Sequence, residues 1–150
     1  MNKLRALRQH LLNACPELKR SPDKLLTFVR EGSIQKTPRK PSLSHRQDYV
    51  ATIVLTDFSA SLDTVTIPIL QWLETNQPDR AENEALQYEA EILDNDTVDL
   101  EIRVSLTESV VVTDNGDGTV SAEHIGEPQY VGGEAEPGSL DEWEQNHVYS

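Results

Sequence analysis

Asp114-Asn-Gly-Asp-Gly118 is the segment whose residue types come nearest to a working site. Two carboxylates, an amide and two glycines in five positions echo a calcium loop, where oxygen ligands recur at fixed offsets and a bidentate glutamate closes the twelfth position. Counted from Asp114, that position is Ile125, which offers no oxygen. Strand-forming Val110-Val-Val-Thr113 and Thr119–Ile125 stand where the motif needs helices. The segment reads as a hairpin turn, and so does Asp94-Asn-Asp-Thr97. His10, His45, His124 and His147 are scattered, with no short metal-ligand spacing between any two. Cys15 is the lone cysteine, which excludes an internal disulfide and a Cys-based zinc site. Its neighbours Leu11, Leu12 and Leu18 suit a buried, inert thiol. There is no phosphate-cradling glycine loop and no serine nucleophile elbow. Acids run through 82–91 and 94–101, but in a chain with 26 Asp and Glu their proximity is no sign of a general acid–base pair. The sequence names no catalytic residue, no cofactor-binding residue and no metal ligand, and the expectation is a protein that is not an enzyme and needs no cofactor.

Charge is more informative than chemistry. Of 13 Lys and Arg, residues 1–50 hold all but Arg80 and Arg103, whereas all but four of the 26 acids (Glu17, Asp23, Glu31 and Asp48) fall after residue 50. The overall net charge of −13 disfavours nucleic-acid binding, which requires clustered cations. A basic part and an acidic part on one molecule attract copies of it head to tail, a heterologous contact that closes into rings or runs on as filaments. The basic stretch around Lys36, Arg39, Lys40 and Arg46 contains two prolines and two serines, and reads as an exposed loop that meets acids of a neighbour. No apolar run approaches the ~20 residues of a membrane helix, and Met1–Leu12 lacks a continuous signal-peptide core. The chain is expected to be cytosolic or virion-borne, with no membrane partner.

The elements follow from periodicity. Leu4, Leu7, Leu11 and Leu18 recur at helical spacing, with Pro16 breaking or bending the run. Ser21-Pro-Asp23 resembles a helix start and Gly32 a stop, which predicts a second helix burying Leu25, Leu26, Phe28 and Val29. Tyr49–Phe58 is apolar or β-branched on both faces and predicts a central strand. A third helix starts at Ser61 and turns Leu62, Val65, Ile69, Leu70, Trp72 and Leu73 inward. Pro68 implies a kink or a loose first turn near 64–66. Strands 85–93 and 98–107 form one hairpin, and Val110–Thr113 with Thr119–Ile125 a second. Residues 126–150 are rich in Gly, Pro and acid, and read as an extended acidic arm whose Trp143 docks on a partner. The expected fold is α+β: one small domain over residues 1–125 with N-terminal helices, a mainly antiparallel sheet, one helix packed after the first strand and two later hairpins, followed by the arm.

Several segments are familiar together. Ser21-Pro-Asp-Lys-Leu-Leu-Thr-Phe-Val-Arg-Glu-Gly-Ser-Ile34, Val54-Leu-Thr-Asp-Phe58, Pro68-Ile-Leu-Gln-Trp-Leu-Glu-Thr-Asn-Gln-Pro-Asp79 and the strand ending Leu106-Thr-Glu108 occur in this order. Over roughly residues 1–113 the chain resembles the tail completion protein R (GpR) family of contractile-tailed temperate phages. The resemblance implies a non-enzymatic tail morphogenesis protein acting where the finished tube meets the head connector. Its order of elements is also similar to tail terminator proteins, small α+β subunits that form hexameric rings. The implied partners are further copies of itself, the tail tube protein, and the sheath and connector proteins. Genomic DNA would pass through an acidic lumen without specific binding. The implied location is the head-proximal end of the virion tail, assembled in the host cytoplasm. The alternative is a dissociable assembly chaperone, acidic because it shields a basic partner, and absent from the mature particle.

Overall fold

The computed structural model describes residues 1–36, 41–78, 86–125, 130–131 and 134–135. The leucine stripe forms α1 (Asn2–Ala14), with Leu4, Leu7 and Leu11 buried. Pro16 divides the run as expected: it takes the first position of α2 (Pro16–Arg20), where its missing N–H costs nothing.

The second predicted helix is not formed. Ser21-Pro-Asp23 opens only a single 3-10 turn, Pro22–Lys24, and the chain then enters strand β1 (Leu25–Gln35), passing Gly32 without stopping. Leu25 is buried, Leu26 is exposed, and Thr27, Phe28 and Val29, all half-buried, favour extended backbone. Capping signals had marked a helix end, but one turn sufficed to use them.

Strand β2 (His45–Phe58) follows. It buries Tyr49, Ala51, Ile53, Leu55 and Phe58, leaves Val50 and Val54 half-buried, and lies inside the sheet. Ser61 then precedes α3 (Leu62–Asn76) as its N-cap residue, although its hydroxyl meets the Thr64 hydroxyl at 3.1 Å and not a backbone N–H. Val65, Ile69, Trp72 and Leu73 face the core, while Leu70, expected inside, is exposed. Pro68 is buried within an assigned helix that begins at Leu62, so the helix does not start late. Proline supplies no N–H to the carbonyl four residues earlier, that of Thr64. The Cys15 thiol donates to that carbonyl instead, at 3.3 Å. Burial pushes the thiol pKa up, which keeps it protonated and able to donate.

Strand β3 (Gln87–Ile92) pairs antiparallel with β4 (Val98–Asp114), and β4 pairs antiparallel with β5 (Val120–Ile125). The two expected strands 98–107 and 110–113 are therefore one. Glu108 had interrupted the apolar alternation, yet it continues the buried positions Leu100, Ile102, Val104 and Leu106, and its carboxylate meets Nδ1 of His124. Both acidic turns use their carboxylates on their own chain. Asp94 accepts the N–H groups of Asp96 and Thr97 at 2.8 and 2.9 Å, which holds its pKa below the usual range. In the second turn Asp114 accepts from the N–H of Gly116 at 2.8 Å, and the Thr119 hydroxyl and N–H hold Asp117 low in the same way. Gly116 and Gly118 adopt φ of +82° and +88°, a region side chains disfavour.

The five-stranded sheet has the order β1-β2-β4-β3, with β5 also on β4. It is mainly antiparallel, and with the three α-helices among the described residues the architecture is α+β as expected. The expected arm carries a small antiparallel pair, β6 (Tyr130–Val131) and β7 (Glu134–Ala135), which composition did not suggest. By packing the chain divides into two compact units: residues 1–32 with 49–106, and 33–48 with 107–150. The first holds the hydrophobic core, which joins Leu7, Leu11 and Leu18 of the helices to Ile53, Leu55, Ile69, Trp72 and Leu106. Trp72 is thus a core residue, as its periodicity implied.

The Cys15–Thr64 contact yields a prediction. Cys15→Ala should destabilise the protein by about 1–2 kcal/mol, by leaving the part-buried Thr64 carbonyl unmatched and removing packed sulfur. In a Pro68→Ala background, where residue 68 regains an N–H, the same change should cost measurably less. Urea unfolding of the four proteins in this double-mutant cycle measures the difference; equal costs in both backgrounds would refute the assignment.

Candidate assembly surface

Four cations and one aromatic were expected at an interface. Lys36 is exposed immediately after β1, and Arg46 is exposed on β2. Asp48, two residues along the same strand, engages the Arg46 guanidinium through both carboxylate oxygens, at 2.9 and 3.0 Å. Part of Arg46's charge is therefore neutralised locally. Arg39, Lys40 and Trp143 lie outside the described residues.

Other cations are also drawn into internal pairs. Arg30 on β1 stacks over Phe28, 5.1 Å from its centroid, and reaches across β2 to Glu101 on β4 at 3.5 Å. Arg103 pairs with Glu101 at 3.0 Å and with Glu89 on β3 at 3.7 Å. An alternating line of cation and anion so crosses one sheet face from β1 to β3. These partly exposed pairs are each worth at most about 1 kcal/mol, and they order the long side chains above the sheet. Arg5 on α1 and Lys19 and Arg20 on α2 remain exposed, with no acid partner among the described residues.

The other face carries a feature the sequence reading missed. Tyr88, Ala90 and Ile92 of β3 stand opposite Ile102, Leu100 and Val98 of β4, and directly opposed residues share a sheet face. They therefore point toward the core side. Yet β3 overhangs the packed layer: Tyr88 is 55% exposed and Ile92 78%. Gln87, Glu89 and Glu91 alternate with them on the wet side. That period-two pattern was legible in the sequence; its lack of cover was not.

Glu17 positions these parts. Its carboxylate, 8% exposed, accepts the N–H of Ser59 at 3.0 Å, the Ser59 hydroxyl at 2.7 Å, the N–H of Ala60 at 3.0 Å and the Lys24 ammonium at 2.9 Å. Lys24 also donates to the carbonyl of Asp57 at 2.9 Å. Asp57 has a left-handed φ of 52°, a costly conformation outside glycine, and its N–H is held by Asp99 at 2.8 Å. One carboxylate on α2 thereby fixes the start of β1, the end of β2 and the approach to α3.

A family model for P2 phage tail completion protein R (GpR) matches residues 1–128. The chain belongs to that family. Tail completion protein R of Escherichia phage P2 is 35% identical over 133 residues, which cover 85% of this chain and 84% of that protein. No solved structure matches the chain. The tail completion family match spans α1 to β5, and so includes the second hairpin, beyond the span over which the resemblance was legible in the sequence. It stops short of β6 and β7.

In this tail completion protein the Glu17 network also sets a pH dependence. Burial alone would raise the carboxyl pKa, but the hydrogen bonds from Ser59 and Lys24 outweigh it and bring it from 4.5 to about 2. A lowered folded pKa contributes stability that is full above the unfolded value and is lost as pH falls from 4.5 toward about 2. Glu17→Gln should destabilise the protein by about 1–3 kcal/mol near neutrality, and its stability should fall less steeply over that acid window. Urea unfolding of both proteins across the window checks this; parallel curves would show that Glu17 is not the group responsible.

Proposed function

We propose that this chain caps the completed tail tube as a ring, ends tail polymerisation and offers the surface on which the head joins. Membership of the tail completion family across residues 1–128 carries this reading. The chain's charge supports it: cations concentrate before residue 50 and acids after it, so copies attract head to tail and their joints can close a circle. A cap must grip the last tube ring and yet recruit no further tube subunit, which requires two unlike faces. The ring, a hexamer by likeness to tail terminators, sits at the head-proximal end of the virion tail. It touches tube, sheath and connector, and assembles in the host cytoplasm. At −13 per copy, its lumen repels DNA and lets the genome pass without sticking.

Particles made without this chain should carry tails of irregular length and lack attached heads, and adding the purified protein should restore capped, joinable tails, as seen by electron microscopy. Mass spectrometry of purified particles decides between cap and chaperone: the cap remains in them, whereas a dissociable chaperone would be absent.

The basic stretch supplies a further test. Arg39→Glu with Lys40→Glu should leave the monomer folded by circular dichroism while abolishing capping. Capping unchanged at moderate salt would remove those residues from the interface.

A further inference from the structure

We infer that the open edge of β3 in one copy pairs with the open edge of β1 in the next, so that the sheets of neighbouring subunits run on as one. The inference rests on the ring reading above and names its joint. In the strand order β1-β2-β4-β3, the β1 and β3 edges terminate opposite ends of the sheet, and among the described residues neither has a partner on its outer side. An unpaired edge presents a row of N–H and C=O groups ready to pair with another chain. Edges at opposite ends of one sheet meet head to tail, the geometry a ring needs.

The uncovered apolar face of β3 selects the occupant. Tyr88, Ala90 and Ile92 lie on the core side of the sheet, beyond the layer that covers β4. On β1 that same side is occupied: Leu25 is 1% exposed and belongs to the core that includes Leu18 of α2. A β1 edge brought alongside β3 therefore brings its own helical layer beside the bare stripe. A second copy thus supplies both the strand and the cover.

Charge favours the same match. Beside β1, Lys19 and Arg20 of α2 are exposed with no acid partner among the described residues, whereas Lys24 and Arg30 are held by Glu17 and Glu101. From residue 87 to 96, around β3, the charged residues are Glu89, Glu91, Asp94 and Asp96, of which Glu89 meets Arg103 at 3.7 Å. Two β1 edges or two β3 edges would set like charges together, which disfavours the symmetric pairings and leaves the head-to-tail one.

The test uses the full-length chain added to tails that lack it, with rings scored by electron microscopy and folding checked by circular dichroism. Ile92→Asp, at an exposed position, and the pair Glu89→Lys with Glu91→Lys should each fold and each lose the ring. Adding Lys19→Glu and Arg20→Glu to the β3 pair should restore rings, because the α2 surface beside β1 and the β3 strand then both carry inverted charge. Intact rings in Ile92→Asp and in the β3 pair would overturn the joint while leaving the ring reading standing. Tails capped by wild-type protein without any ring would overturn both. Loss without rescue by the compensating pair would reject charge matching between these edges.

Discussion

A single buried carboxylate organises the first unit. Glu17 sits near the start of a five-residue helix too short to be stable alone, and its carboxylate ties together segments more than forty residues apart in sequence. Without this carboxylate, excluding water here would leave the Ser59 and Ala60 N–H groups unmatched, and Lys24 balances its charge. The strained backbone at Asp57 is held from two sides, by Lys24 on its carbonyl and by Asp99 on its N–H. The core beneath supplies most of the stabilisation, since a buried leucine contributes about 1.5–3 kcal/mol. The carboxylate network decides how the chain ends around that core are aimed.

The same economy shows at Pro68. An interior proline normally costs a helix about 3 kcal/mol, partly through the carbonyl it leaves unmatched. Here the Cys15 thiol, at the junction of α1 and α2, fills that gap, so the irregularity of α3 becomes a contact with the helical layer. A residue dismissed as an inert thiol and a proline that promised distortion turn out to be two halves of one arrangement.

The surface follows a different logic. Cations of the N-terminal half are partly spent at home, on Glu17, Glu101 and Asp48. Separation of charge along the sequence is therefore not simply copied into separation in space. What remains for partners is narrower: exposed cations on α1 and α2, and acids along β3 and its turn. Among the described residues the sheet ends in β1 and β3, and one face of β3 carries exposed Tyr88 and Ile92, which is the basis of the joint between copies proposed above.

Much of this protein was legible in its residues. The leucine stripe of α1, the break at Pro16, the doubly apolar β2, the helix after Ser61 and both acidic turns were readable because local periodicity and turn chemistry act within a few residues. Trp72 was placed in the core and Cys15 was read as buried for the same reason, and the uncommon residues from Pro68 to Asp79 pointed to the family. Tertiary structure decided the rest. Residues 25–35 became a strand because β2 offered ladder bonds that a helix signal of one turn could not outweigh, and Glu108 stayed inside a continuous β4 because His124 lay ready to meet it. Glu17 gave no sign, since its donors come from more than forty residues away. Exposure of Tyr88 and Ile92 depends on how far the helices reach across the sheet, a dimension that sequence spacing along one strand does not encode.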